Sequence, residues 1–162
     1  MNKILESKTK VRFQDCDPFN HLNNSKYIDY FINAREDHVL NYYNLDISEH
    51  IAKFYKGWLV ASNQITYIKP ALMMEEVIIE SQLIHFSSSS LKVEMKMWNK
   101  DKTVLKSIIW TSLIYFEIKS QKKAEHSEEL INLFKEVVNP VEDIIFENRC
   151  YSLIQTNKAS KL

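Results

Sequence analysis

The stretch from Asp15 to Tyr27 concentrates residue types that can do chemistry at a carbonyl carbon, and its sequence is DCDPFNHLNNSKY. It lies between a predicted strand and a predicted helix. A carboxylate at the mouth of a helix can attack a carbonyl directly or act as a base toward water. The free amides and the dipole of the helix N-terminus can stabilise the oxyanion that forms on the same carbonyl. This stretch therefore indicates a site suited to hydrolysis.

The same stretch resembles the signature of the 4-hydroxybenzoyl-coenzyme A (CoA) thioesterase and acyl-carrier-protein (ACP) thioesterase branches of the hot-dog superfamily. The shared pattern is an Asp-x-Asp turn, then His-x-Asn-Asn-x-x-Tyr entering the central helix, and it extends over about residues 9–116 to include Tyr67-Ile68-Lys69-Pro70. The resemblance implies an α+β hot-dog fold, with an antiparallel sheet of about five long strands wrapped around one central helix. We expect one such domain over residues 1–162, with a core at about 9–116 and a C-terminal helical extension at about 126–162.

The activity implied by the resemblance is hydrolysis of an acyl or aryl thioester of CoA or ACP to a free carboxylic acid and a thiol. Asp17 is then the catalytic carboxylate, as nucleophile or general base, and the backbone N–H near Asn24 is the oxyanion donor. His21 matches a histidine that the ACP branch uses near the carboxylate. It either orients water or substrate, or is hydrogen-bonded within its own turn. The family's pairing of two sheets implies a homodimer or homotetramer with a site shared between subunits.

Other positions are expected to bind substrate or to shape the turn. Asn23 is expected to close the turn, Tyr27 to form core or pocket wall, and Asp15 to be a turn-former whose charge could raise the proton affinity of Asp17. On the strand after the helix, Ala61, Ser62 and Asn63 are candidates for lining the pocket from the opposite side. Lys69, Lys92 and Lys100 are available for the carrier's phosphates.

Rival catalytic groups are disfavoured by their surroundings. Cys16 lies between two aspartates, whose charge opposes thiolate formation. The chain has no Gly-x-Ser-x-Gly elbow, and its single glycine, Gly57, excludes a phosphate-cradling loop. The remaining histidines show no pairing that suggests zinc, so we expect no metal and no cofactor. Glu36 and Asp37 on the predicted helix are interpreted as solvated or ion-paired.

Hydrophobic periodicity predicts the elements that position these residues. Thr9 to Gln14 alternates as a short strand, and from Ser25 apolar residues recur at helical spacing: Tyr27, Phe31, Ala34, His38 and Tyr42. A connecting segment is predicted at Asp46 to Lys56. Four strands follow, at Leu59–Ile68, Val77–Phe86, Leu91–Met97 and Val104–Phe116. The tail is predicted to have a helix through Leu130 and Val137, a further strand within Val141 to Ile154 and a frayed end at Gln155 to Leu162.

Composition limits the partners. The 162 residues carry 21 Lys plus Arg and 21 Asp plus Glu, so no net field gathers nucleic acid or an anionic membrane surface. Two cysteines without metal or disulfide spacing, and an N-terminus without an apolar signal stretch, favour a cytoplasmic protein. A different class of function is a hot-dog protein that binds an acyl ligand without cleaving it, because fold alone does not fix function.

Overall fold

The computed structural model describes residues 1–159, and in it one antiparallel sheet wraps around a central helix. The strands run in the order β1-β3-β4-β5-β2, with β6 paired to β5. Because helix and sheet face each other with apolar side chains, this arrangement confirms the α+β hot-dog prediction. The strands are β1 (Leu5–Lys10), β2 (Lys56–Tyr67), β3 (Glu76–Phe86), β4 (Ser90–Asn99), β5 (Leu105–Glu117) and β6 (Lys122–Lys123).

The central helix α1 spans Tyr27–Tyr43 and follows a short 3₁₀ turn at Asn24–Lys26. Its buried face includes Tyr27, Phe31, Ala34 and His38, as the periodicity predicts. The last buried aromatic is Tyr43, since Tyr42 is 42% exposed. This face packs against the inner face of the sheet, which places the start of α1 beside the Asp15–Leu22 loop.

The first strand begins and ends earlier than predicted. β1 pairs with β3 from Leu5, opposite Ser81, to Lys10, opposite Glu76. Phe13 lies in a 3₁₀ turn and is 76% exposed. The alternation over Thr9 to Gln14 was therefore misleading, because the chain leaves the sheet before Phe13.

Two helices replace segments that were predicted otherwise. The connecting segment contains α2, Ile47–Phe54, whose N-cap Asp46 accepts a hydrogen bond from the Glu49 amide at 2.9 Å. The predicted strand within Val141 to Ile154 is wrong, because α4 spans Phe146–Ala159. The frayed end predicted at Gln155 to Leu162 is helical as far as Ala159, and residues 160–162 lie outside the described part. The predicted tail helix is confirmed as α3, Glu128–Val137.

Helix α4 covers the outer face of the sheet. The fully buried carboxylate of Glu94 accepts two hydrogen bonds from Arg149 on α4, both at 2.8 Å, and one from the Trp110 indole at 2.8 Å. The Phe146 ring packs edge-on against Trp110, with ring centroids 5.5 Å apart. Burial alone would raise the pKa of Glu94, but the hydrogen bonds from Arg149 and Trp110 outweigh it and hold that pKa below its usual value. Glu94 is therefore ionised and paired within the protein.

Within residues 1–159, every helix is too short or too polar to span a membrane.

Candidate active site

The Asp15–Leu22 loop is a closed turn held by its own backbone. The Asp17 amide donates to the His21 carbonyl at 2.8 Å, and the Asn20 amide donates to the Asp17 carbonyl at 3.0 Å. Asn20 adopts a left-handed conformation with φ of 61°, which asparagine tolerates better than most residues. The loop therefore holds Asp17 in a fixed position next to the start of α1.

The carboxylate of Asp17 has one anchored oxygen and one free oxygen. Oδ1 accepts hydrogen bonds from the amides of Phe19, at 2.9 Å, and His21, at 3.1 Å. Oδ2 has no hydrogen-bond partner among residues 1–159. An ionised carboxylate only accepts hydrogen bonds, so the free oxygen is available to a water or an electrophile.

The start of the helix offers one free amide. Asn23 caps it, with Oδ1 accepting from the Ser25 amide at 3.0 Å, while the Lys26 amide donates to the Asn23 carbonyl at 2.8 Å. The backbone N–H of Asn24 makes no hydrogen bond to any described residue. The first amides of a helix lack intrahelical acceptors, and this one is the donor that sequence reasoning singled out.

Two tyrosines fix the helix start to the sheet. The Tyr67 hydroxyl, at the end of β2, donates to the Asn24 carbonyl at 2.9 Å. The buried Tyr27 hydroxyl accepts from the Ala71 amide at 3.1 Å, and the two tyrosine rings pack edge-on at 5.1 Å. Burial raises the pKa of Tyr27, which keeps its hydroxyl neutral and suits a wall position.

These residues surround a cavity of about 280 Å³. Its lining brings together Asp17, His21, Asn24 and Tyr27 from the predicted site, with residues from the end of β2. The His21 ring nitrogens have no hydrogen-bond partner among residues 1–159, and Lys69, at the cavity wall, has no ion pair there. The cavity thus combines a free carboxylate oxygen, an imidazole and a cation.

The other predicted site residues lie elsewhere in the chain. Asn23 caps the helix and does not line the cavity. Ser62 and Asn63 lie in the middle of β2, where Asn63 Oδ1 accepts from the Thr111 hydroxyl at 2.7 Å. Neither residue lines the Asp17 cavity of its own chain.

None of the rival groups lines this cavity. Glu36 and Asp37 are exposed on α1, and Asp37 lines a groove between α1 and β1 instead. Burial, with Asp15 and Asp17, raises the pKa of the Cys16 thiol, as its flanking charges predict. Of the other lysines, Lys92 lies 5.3 Å from the centre of the Trp110 ring, and Lys100 pairs with Glu76 at 3.6 Å.

The hydrogen bond from Tyr67 to the helix start is the part of the site that sequence reasoning missed. The segment Tyr67-Ile68-Lys69-Pro70 was noted as part of the resemblance, but nothing in its spacing shows that it meets Asn24, 43 positions earlier. Such a contact depends on the register of β2 against β5.

Comparisons with known proteins identify the family and the fold of the chain. Residues 11–134 match the model of the thioesterase-like superfamily. No curated protein sequence matches the chain in the corresponding search.

Solved structures share the fold at low sequence identity. The probable thioesterase YbaW from Escherichia coli is 21% identical with a TM-score of 0.71, covering 83% of this chain and 99% of its own. The protein SAV2348 from Staphylococcus aureus, solved in complex with CoA, is 12% identical with a TM-score of 0.75, covering 88% and 91%. The DHNA-CoA thioesterase from Staphylococcus aureus is 16% identical with a TM-score of 0.70, covering 98% and 95%.

Proposed function

This chain belongs to the thioesterase-like superfamily, and we propose that it hydrolyses an acyl or aryl thioester to a carboxylic acid and a thiol with Asp17 as the catalytic carboxylate. The observation that carries the proposal is the state of that side chain. One of its oxygens is fixed by two loop amides, and the other is free at the wall of a cavity. A fixed geometry with one open oxygen is what a positioned base or nucleophile requires.

The reaction follows from the groups around the cavity. As general base, Asp17 takes a proton from water while the water oxygen bonds to the thioester carbonyl carbon. The carbonyl oxygen becomes an oxyanion, which the Asn24 amide and the helix dipole stabilise. The C–S bond then breaks, and the departing thiolate takes the proton from Asp17. As nucleophile, Asp17 instead bonds to the carbonyl carbon, and the C–S bond breaks to release the thiolate. Water then hydrolyses the resulting anhydride, which frees the acid, regenerates the Asp17 carboxylate and supplies the proton that converts the thiolate to the thiol. His21 lies at the same wall and orients water or the substrate.

The carrier is recognised through its phosphate groups. Lys69 is the lysine that lines the Asp17 cavity, whereas Lys92 and Lys100 have other contacts. Its unpaired ammonium suits a phosphate of CoA or of the ACP phosphopantetheine, since lysine binds phosphate as a point charge. The CoA complex of SAV2348 supports CoA as the first carrier to test.

A second subunit is expected to complete the site. β2 forms one edge of the sheet, and six consecutive residues, 59–64, are exposed on both of its faces. A long exposed edge strand pairs readily with another chain. Pairing of two such edges would bring the partner's β2, with its Ser62 and Asn63 positions, toward the Asp17 cavity.

The test is a pair of matched substitutions assayed for thiol release across acyl-CoA and acyl-ACP thioesters. In Asp17→Asn the side-chain oxygen still accepts from Phe19 and His21, so the loop should keep its shape. Turnover should nevertheless fall by at least ~100-fold, because the base is lost. Asp37→Asn makes the same chemical change on the exposed face of α1 and should keep wild-type turnover.

Wild-type turnover in Asp17→Asn would refute the assignment of the catalyst. Saturable binding of these thioesters with no thiol release by the wild-type protein would instead identify a non-catalytic acyl-binding protein.

A further inference from the structure

A second, mostly apolar pocket lies between the C-terminal half of α1, the inner face of the sheet and α3. Its free volume is about 80 Å³. It shares no lining residue with the Asp17 cavity. Its lining is apolar or aromatic except for Arg35 and the Tyr43 hydroxyl, and it includes Val39, Leu45, Trp58 and Phe134.

Arg35 is unusual because it has no carboxylate partner. No acidic side chain within residues 1–159 forms an ion pair with it. The Arg35 side chain is partly buried, and an arginine in such a position is usually paired, because an unpaired charge beside an apolar wall is costly. Burial lowers the pKa of Arg35 to about 10, which still leaves the side chain cationic at neutral pH.

The two oxygens that do contact Arg35 are neutral. Arg35 Nη1 donates to Ser81 Oγ at 3.1 Å, and the guanidinium also bonds the Tyr43 hydroxyl. Tyr43 donates its own proton to the Asn2 carbonyl at 2.8 Å, and Ser81 Oγ also shares a hydrogen bond with His38 Nδ1 at 2.7 Å. Both oxygens therefore act as acceptors and orient the guanidinium without neutralising it. A guanidinium has five N–H donors, so others remain for an anion.

We propose that this pocket binds a small apolar carboxylate, whose hydrocarbon part contacts the aliphatic and aromatic wall while its carboxylate pairs with Arg35. A planar carboxylate matches the fork of a guanidinium better than a spherical anion does. The ligand class follows from the pocket lining and does not depend on catalysis at Asp17. If the proposed hydrolysis holds, the class includes the acids that the reaction releases.

The site is separate from the catalytic cavity along the central helix. Arg35 lies eight residues beyond Tyr27, which corresponds to about 12 Å along a helix axis. An acid bound at Arg35 would thus leave the Asp17 cavity open, and the two sites could be occupied together.

The volume of the pocket limits the size of the ligand that can be used to test binding. An apolar cavity of about 150 Å³ holds the six carbons of benzene, so a pocket of about 80 Å³ has room for a tail of roughly three to four carbons. Pentanoate, whose four-carbon tail would enter the pocket with its carboxylate at the partly buried Arg35, is the probe we choose. For so few ligand atoms the dissociation constant should be about millimolar. Pentan-1-ol and pentylammonium have the same hydrocarbon part without the carboxylate and serve as matched controls.

The experiment is calorimetric titration of the full chain with the three ligands. Wild-type protein and Asp17→Asn should both bind pentanoate at least ~10-fold more tightly than either control ligand, since the charge-assisted bonds to Arg35 supply the difference. Arg35→Met should lose that preference by a similar factor. Leu45→Phe keeps Arg35 but fills the pocket, and it should weaken pentanoate binding even if Arg35→Met fails to fold.

Absence of saturable pentanoate binding to the wild-type protein would overturn the proposal, and so would equal binding of pentan-1-ol. Pentanoate binding that survives in Leu45→Phe but disappears in Asp17→Asn would overturn it as well, by assigning the acid to the catalytic cavity. Because Asp17→Asn is part of the set, failure of this site and failure of the proposed hydrolysis give different results.

Discussion

Replacing the buried histidine of the central helix should change how the stability of the protein depends on pH. His38 is 1% exposed, and its ring bonds Ser81 Oγ at 2.7 Å through Nδ1 and Ser7 Oγ at 2.8 Å through Nε2. Arg35 donates to Ser81. The serine can then give its proton to Nδ1, which leaves the proton of His38 on Nε2. The neutral ring can make both hydrogen bonds. A protonated ring would also carry a proton on Nδ1, which would point at the hydroxyl proton of Ser81 and could not accept it.

The size of the effect follows from the pKa of this side chain. Burial, together with the charge of Arg35, lowers the pKa of His38 from 6.5 to about 4, although Asp37 and Glu6 oppose the shift. Below pH 6.5 the unfolded chain therefore binds a proton that the folded chain does not. Stability is fully present above that pH and declines as the pH falls toward 4. The linkage between protonation and folding predicts that the free energy of unfolding falls by about 2 kcal/mol by roughly pH 5.

The assay is urea denaturation of the wild type and of His38→Gln at several pH values between about 7.5 and 5. This range lies above the ordinary pKa of 4.5 for glutamates such as Glu94, so the buried carboxylates contribute little. The free energy of unfolding of the wild type should fall by about 2 kcal/mol more than that of His38→Gln. His85→Gln removes a histidine that is exposed on β3 and should keep the wild-type slope. Equal slopes in the wild type and His38→Gln would refute the reasoning.

Three further outcomes are expected. Arg149→Met leaves the buried Glu94 carboxylate without its cation and should cost about 3–5 kcal/mol of unfolding free energy, most of which is recovered by adding Glu94→Met. A double variant as unstable as the single one would contradict this account. Lys69→Met should raise KM for an acyl-CoA by about 10-fold with kcat unchanged, while an unaltered KM would remove Lys69 from the carrier site. We expect the wild-type protein to sediment as a dimer and Val60→Lys to sediment as a monomer in sedimentation velocity, because the substitution places a charge on the β2 edge. The control Ile144→Lys changes a residue that is 85% exposed away from that edge, and unchanged sedimentation of Val60→Lys would argue against pairing through β2.

The core of the fold was predictable because its patterns are strong and local. Leu91, Val93, Met95 and Met97 alternate cleanly, and all four are buried on β4. The pairing order of the strands is a different matter, since the placement of β2 at the edge beside β5 depends on contacts between distant segments. Sequence alternation reports which face of a strand is buried but not which strand lies next to it.

The errors have identifiable causes. In α4, Phe146 and Cys150 are buried and Leu153 packs beside them, which is helical spacing. Several apolar residues close to this set, such as the exposed Ile144, favoured the strand interpretation. For α2, the Asp46 and Glu49 pair was a usable start signal, because an acidic N-cap followed three residues later by glutamate marks a helix N-terminus.

The candidate site, like the fold, could be predicted from the sequence only in part. Asp17, His21 and Asn24 could be selected because they lie in one short segment whose chemistry is readable. The sequence could not predict that Asp17 Oδ2 is free or that Tyr67 contacts the helix start. Both features arise only when the loop and the end of β2 meet. The partly buried Arg35 was not singled out either, since its pocket is built from six different elements and the segment between α1 and α2.

The bond between Arg149 and Glu94 also has a consequence for the order of events during biosynthesis. The two residues are 55 positions apart, so the ribosome synthesises every strand of the sheet before it reaches Arg149. The guanidinium of Arg149 is the cation that neutralises the buried Glu94 carboxylate. A nascent chain that stops short of Arg149 must leave Glu94 hydrated, because a carboxylate without its partner resists removal from water. The outer layer of the molecule can therefore close only when translation has passed that arginine.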